Sequence, residues 1–281
     1  MRMLVLSVPL ADAELAADRL WIAGARAVEE CDAATGRARL RTVLADSDST
    51  SLRRLGDIAP TWTVSFEDAD DEPAQSWREF AQPIPVNEAL IIRPAWQPRS
   101  TAPGIVEIGI EPGGSFGLGD HPTTRLSADA VWRLVRPGDR VLDVGCGSGV
   151  LSIVAVRRGA HSVRAIDVSE AAREATVDNA ARNLVSDRID VDTTPIDEIT
   201  GPFDIVVANI LAPVLVSMAP DLRRLVTPGG RLLVSGVLAG HYEHVLAALE
   251  PMCVVAACDL DGWSLIELRH TVSPADRSAS E

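Results

Sequence analysis

The chain contains no lysine: all 26 of its basic residues are arginine, set against 40 Asp and Glu in 281 residues. The net charge of −14 disfavours attachment to phosphate backbones and favours encounter with basic partners, most strongly at low salt. Direct nucleic-acid binding is therefore not expected. The same charge also reads simply as a solvated surface that aids solubility. Cysteine is scarce, and Cys31, Cys146, Cys253 and Cys258 show neither the pattern of a disulfide framework nor that of a zinc site. Reduced, mostly buried thiols and no metal centre are the expectation. No window approaches the roughly 18 unbroken apolar residues of a membrane span. The opening "MRMLVLSVPLADAELAADRL" imitates a signal peptide, but its apolar run stops within about eight residues and no cleavage site follows. It reads as a first strand, and the protein as cytoplasmic. There is no internal repeat, and the longest low-complexity tract is the serine-rich tail "SPADRSASE", 271–281 with its two leading residues, read as frayed.

What is present is an apolar content of 47%, enough for a substantial core. Over residues 1–66, "MLVLSV" reads as a strand and "ADAELAADRLWIAG" as an amphipathic helix. "ARAVEEC" and "ARLRTVLA" flank a "DAATGR" turn, "DSTSLRRLGDI" (48–58) carries helix caps, and "TWTVSFED" alternates again. The order βαββαβ predicts a small α+β ferredoxin-like domain. Residues 67–104 are acidic and then dotted with proline, which predicts a linker holding short ordered pieces such as "SWREFA" and "EALIIRPAW". From 105 to 270 strands and helices alternate. "DIVVA" and "RLLVS" are apolar on both faces, as strands of a covered parallel sheet are. The last two strand patterns follow each other without a helix, which predicts an antiparallel hairpin at one edge of a doubly wound α/β domain.

"DVGCGSG" joins a strand to a helix with Gly145, Gly147 and Gly149 at alternate positions. Glycine there permits a tight turn and lets backbone N–H groups approach a ligand. A dinucleotide loop needs a small residue where Val150 stands, and Asp143 just ahead of the loop suits an ammonium group better than a phosphate. Asp167, at the end of the next strand, occupies the place of a carboxylate that accepts two ribose hydroxyls. Loop and acid together indicate an adenosine ligand with an amino-acid tail, which S-adenosylmethionine satisfies; a plain structural turn is the competing reading. Asn209 ends a later strand on the carboxyl edge of the sheet. Its amide reads equally as a contact for cofactor or amine and as a helix N-cap. Upstream, "GGSFGLGDHPTTR" holds His121, read as a turn residue fixed by Pro122, and the Thr123–Thr124 pair, read as capping the helix that follows.

Taken together, "FGLGDHPTT", "VLDVGCGSGVLSI", "AIDVSEAAREATVDNAARN", "VVANILAPVLVSMAPDL" and "TPGGRLLVSGVL" resemble the ribosomal protein L-eleven (L11) methyltransferase family, PrmA. This is a branch of the class I S-adenosylmethionine-dependent methyltransferases. The resemblance covers about residues 87–269 and extends weakly to "LWIAGARAVEE", similar to the family's substrate-recognition domain. It implies a Rossmann-like fold and trimethylation of amino groups, on lysine side chains and the chain terminus of that basic ribosomal protein. It also implies cofactor contacts from Thr124, Gly145, Asp167 and Asn209, and puts Phe116 where the family has an aromatic. With Thr123, Asp143, Gly147 and Gly149 these form the expected cofactor site. Leu118 and Asp120 depart from the family's pattern. They leave open another protein lysine, a small molecule, or a non-catalytic cofactor-binding module. In the catalytic reading, Asp120 attracts the ammonium form of the acceptor and Asn209 orients the neutral amine. Segment 114–124 folds over the methionine end. A monomer is expected.

Overall fold

The computed structural model describes residues 2–22, 25–33, 36–44, 60–68, 81–99, 103–111 and 120–270. They fall into two compact units, 1–81 and 82–281. In the first, β1 (Arg2–Pro9) leads through a single 3-10 turn into α1 (Ala13–Ile22), followed by β2 (Ala25–Ala33), β3 (Arg37–Leu44) and β4 (Thr63–Asp68). The sheet order is β2-β3-β1-β4, with every neighbouring pair antiparallel. Strand alternation turns Leu4, Leu6 and Val8 of β1 and Ala38 and Leu40 of β3 into one core. Ala13, Ala16 and Leu20, spaced three and four apart along α1, pack into the same core. Trp62 closes it, and its indole N–H donates to Asp12 Oδ2 at 2.8 Å. This is the strand order of a ferredoxin-like sandwich. The helix expected at 48–58 lies outside the described residues.

The second unit opens with β5 (Ile84–Asn87), β6 (Leu90–Pro94) and β7 (Val106–Ile110), which form a three-stranded sheet in that order. Part of the expected linker, the "EALIIRPAW" piece expected to be ordered, is folded core: Leu90 and Ile92 expose no surface, nor do Ile108 and Ile110 of β7 beside them. The prolines misled because their positions are those a sheet tolerates, Pro85 in an outer strand and Pro94 at a strand end. "SWREFA" lies mostly outside the described residues.

The large sheet comprises β8 (Arg140–Val144), β9 (Ser162–Ile166), β10 (Ile189–Asp192), β11 (Phe203–Asn209), β12 (Val226–Leu238), β13 (Cys253–Leu260) and β14 (Trp263–Arg269). Its order is β10-β9-β8-β11-β12-β14-β13, parallel as far as β12, with β14 antiparallel to both β12 and β13. Between the strands run α2 (Pro122–Leu134), α3 (Val150–Arg158), α4 (Glu170–Arg182), α5 (Ala212–Arg224) and α6 (Glu243–Ala248). Alternation along β11 shows why both faces are covered. Ile205 and Val207 join the core shared with α2, α3 and the small sheet. Val206 and Ala208 join the core under α5 and α6.

The edge strand β13 is exposed along nearly its whole length, so Cys253 and Cys258 are in solvent and only Cys146 is buried among the described free thiols. The expectation of mostly buried cysteines fails there, because an outermost strand has a neighbour on one side only. Among the described residues no helix is long and apolar enough to cross a membrane. Because Ile92 is core rather than linker, Ile92→Ala is expected to cost about 2–5 kcal/mol. A urea titration checks this; a linker residue would leave the midpoint unmoved.

Candidate active site

Strand order reverses between β8 and β11, and the crevice outside their carboxyl ends is where open α/β sheets hold ligands. The turn from β8 into α3 passes through three left-handed glycines, with φ of 74° at Gly145, 53° at Gly147 and 77° at Gly149. Space demands glycine as well. A Cβ on Gly145 would lie 2.4 Å from Ile210 Cγ2, and one on Gly149 2.8 Å from Thr176 Cγ2.

The loop's donors are spent on the protein itself, contrary to the expectation that they would face a ligand. Gly145 and Cys146 donate to Ile166 O at 2.8 and 3.1 Å, and Gly149 donates to Cys146 O at 2.8 Å. Gly147 donates to Asp167 Oδ2 at 3.0 Å. The reason is geometric: in so tight a turn these N–H groups point back at the β9 end and at the loop. Among the loop carbonyls, that of Gly145 receives no hydrogen bond from a described residue. An open carbonyl between carboxylates suits a cationic group and repels a phosphate.

Asp167 follows β9 directly. Its Oδ1 accepts from Ser169 N at 2.9 Å, so each carboxylate oxygen holds one backbone bond and keeps a lone pair for a ribose hydroxyl. Ser169 is the N-cap of α4, and its side chain makes no capping hydrogen bond. Beside it Val168 is 91% exposed, an apolar surface that sequence reasoning missed.

Asp143 lies beneath the loop, fully buried, with Oδ2 accepting from Ser152 N at 3.0 Å and Ser152 Oγ at 2.6 Å. Burial pushes its carboxyl up to about 6 against the two Ser152 bonds, and the nearby Asp167 adds to the rise. Burial, then the charge of Asp143, pushes the Cys146 thiol up as well, so it is inert. Ser152 was legible in principle, as the one hydroxyl in the apolar run "VLSIVAV" nine residues after Asp143.

On the other side, α2 begins at His121, whose Nδ1 accepts from Thr123 N at 3.3 Å and lies 2.7 Å from Thr123 Oγ1. The ring meets Trp263 edge-on, with centroids 4.9 Å apart. Burial lowers its pKa, and Asp120 opposes that, so the imidazole is neutral near pH 7. The cap is thus the histidine, rather than the threonine pair expected to serve it. Thr123 and Thr124 are both buried, and α2 packs against β11, β12 and β14. Thr124 Oγ1 and Ser127 Oγ are buried without a hydrogen-bond partner among the described residues, an arrangement that costs stability unless a ligand completes it.

Asn209 ends β11, and its amide has no partner among the described side chains and backbone. The N-cap of α5 is Leu211, so Asn209 is not a helix cap. Asp120 is exposed, immediately ahead of His121. Phe116 and Leu118 lie outside the described residues.

A seven-stranded sheet in this order, with a glycine turn after its central strand and an acid after the next, defines a class I methyltransferase, whose methyl donor is S-adenosylmethionine. Residues 16–271 match the family model described as Ribosomal protein L11 methyltransferase (PrmA). The chain belongs to that family. It is 40% identical over 255 residues to the Ribosomal protein L11 methyltransferase of Geobacter sulfurreducens, covering 86% of this chain and 84% of the relative. To the protein of the same name from Symbiobacterium thermophilum it is 36% identical over 262 residues, covering 92% and 82%. Among solved structures, the ribosomal protein L11 methylase of Lactobacillus delbrueckii subsp. bulgaricus superposes with a TM-score of 0.63 at 30% identity. That match covers 67% of this chain and all of the other. The residues present fit the cofactor: the orphaned Thr124 hydroxyl, the open Gly145 carbonyl and the spare lone pairs of Asp167 are polar groups in want of a ligand.

The buried Asp143 gives a pH signature. Its pKa of about 6 exceeds the ordinary 3.8, so the native state binds that proton more tightly than the unfolded chain. The stability this proton confers is full at low pH and is lost as pH rises from about 4 to about 6, by about 3 kcal/mol. Asp143→Asn is expected to remove that component, seen as a smaller loss of the cofactor-free protein's stability across the window. Parallel urea titrations of variant and wild type at several pH values check it.

Proposed function

We propose that this protein methylates amino nitrogens of ribosomal protein L11, on lysine side chains and the chain terminus, with S-adenosylmethionine as donor. The supporting observation is the set of unspent polar groups at the β8–β11 crevice, above all the partnerless Thr124 hydroxyl, in a chain whose relatives carry that name. The bound cofactor supplies a methyl group on a positively charged sulfur. Asp167 holds the ribose hydroxyls, and Gly145 O and Asp143, acting through the buried field below the loop, favour the cationic methionine end. Thr123 fixes His121, and with it the start of α2 that presents Thr124. The loop glycines 145, 147 and 149 allow the approach, and Phe116 contributes an aromatic side chain.

The acceptor must arrive as a free amine, because only its nitrogen lone pair can form the new bond. Catalysis is then chiefly positioning within about 3–3.5 Å in line with the breaking bond. Exposed Asp120 draws in the ammonium form, and Asn209 accepts a hydrogen bond from the amine and so aims its lone pair. The first unit, with residues 1–66 at its heart, recognises the protein acceptor. The net charge of −14 complements a basic ribosomal protein. The same reading makes the protein a cytoplasmic monomer that binds no nucleic acid directly.

Asp167→Ala is expected to weaken S-adenosylhomocysteine binding by about two orders of magnitude or more, two charge-assisted hydrogen bonds being worth about 1.5–3 kcal/mol each. Calorimetry on a variant with unchanged circular dichroism tests this, and wild-type affinity would remove the ribose assignment. Incubation with labelled S-adenosylmethionine and purified ribosomal proteins is expected to label L11 alone, in steps of one methyl by mass. Deleting residues 1–81 is expected to abolish that labelling while cofactor binding survives. Labelling of another protein, or of L11 by the truncated chain, counts against the acceptor or its recognition unit.

A further inference from the structure

The inner face of α4 and its C-cap carry three polar side chains where an apolar stripe is the norm: Thr176, Asn179 and the cap residue Asn183, at most 4% exposed. Each is fully engaged. Thr176 Oγ1 donates to Gly147 O at 3.1 Å. Asn179 Nδ2 donates to Ser148 O at 3.0 Å and to Glu111 O at 2.8 Å, while its Oδ1 accepts from Glu111 N at 2.9 Å. Asn183 repeats the pattern one turn on: Oδ1 accepts from Gly109 N at 3.1 Å, and Nδ2 donates to Gly109 O and Asn179 O, both at 2.8 Å.

The spacing explains how a helix can dock on a strand edge. Four helical residues rise about 6 Å, and two strand residues about 6.6 Å. Two asparagine amides at i and i+4 therefore meet the outward-facing peptide groups of Gly109 and Glu111 as a neighbouring strand would.

The two asparagines differ in one respect. Among the described residues Asn183 hydrogen-bonds to β7 and its own helix alone, whereas Asn179 also grips the glycine turn, and Thr176 grips the adjacent carbonyl. We propose that Asn179 and Thr176 are positioning residues for the methyl donor: they draw the Gly147 and Ser148 carbonyls into α4 and thereby set the left-handed course of the turn. Asn179 in addition locks that turn to the end of β7. Neither residue reaches the ligand; each acts through the backbone of residues 147 and 148. Asn183 performs the same docking without any hold on the site.

Asn179→Asp and Asn183→Asp form a matched pair, since each keeps the strand N–H bond and sets a carboxylate oxygen against two carbonyls. Thr176→Val removes one hydroxyl at constant shape. Thermal melting of the ligand-free proteins is expected to fall for both aspartate variants. Calorimetric titration with S-adenosylhomocysteine is expected to show affinity reduced about tenfold or more in Asn179→Asp, about threefold or more in Thr176→Val, and less than about twofold in Asn183→Asp. Because only the cofactor is titrated, the identity of the acceptor does not enter. Equal losses in the two aspartate variants, or wild-type affinity in folded Asn179→Asp, would overturn the proposal. Should Asn179→Asp fail to fold, wild-type affinity in Thr176→Val overturns it, and a selective loss there supports it.

Discussion

The hydrogen bond from Gly147 N–H to the Asp167 carboxylate is the contact on which the carboxyl edge of the large sheet depends. It joins the turn after β8 to the end of β9, two strands adjacent in the sheet but about twenty residues apart in sequence. A charged acceptor makes it stronger than a neutral bond, and it offsets the conformational cost of three residues held at positive φ. The same carboxylate starts α4 through Ser169 N. One side chain therefore shapes the turn, begins a helix and retains the lone pairs that a ribose needs.

Around that contact the site is built from groups that are either fully spent or conspicuously unspent. The turn's donors, the Ser152 hydroxyl and the α4 row are satisfied by protein, and they make the crevice rigid before any ligand arrives. The Thr124 hydroxyl, the Gly145 carbonyl and the Asn209 amide are left over. Such division suits an enzyme that works by positioning. Such a preformed crevice avoids reorganisation at the moment of transfer. The buried Asp143 adds negative potential under the turn without lying on its surface.

Several of these features were legible in the residues. The glycine spacing, Val150 in place of a small residue, and an acid at the end of the next strand argue against a pyrophosphate and indicate a nucleoside with a cationic tail. Asn209 is identifiable as a strand-end residue by its apolar run. What periodicity and composition do not carry is direction. The turn's N–H groups face inward because of where β9 ends, and no local pattern reports that. Proline-dotted 84–94 looks like a linker because Pro85 and Pro94 punctuate it, although six of its eleven residues are apolar, and only the partners Ile108, Ile110 and α2 make it core. Asn179 and Asn183 look like ordinary polar residues of an amphipathic helix until β7 is placed against them.

By itself, then, the sequence determined the element order, the doubly wound class, the antiparallel edge and the chemical kind of ligand. Those follow from hydrophobic period, from steric demands on glycine and from the charge of single residues, all local properties. The tertiary structure decided which donors remain for a ligand, which cysteines face solvent and which helix residues hold the turn. Each of these depends on a partner distant in the chain, and a hydrogen bond or an exposed face exists only once that partner is in place.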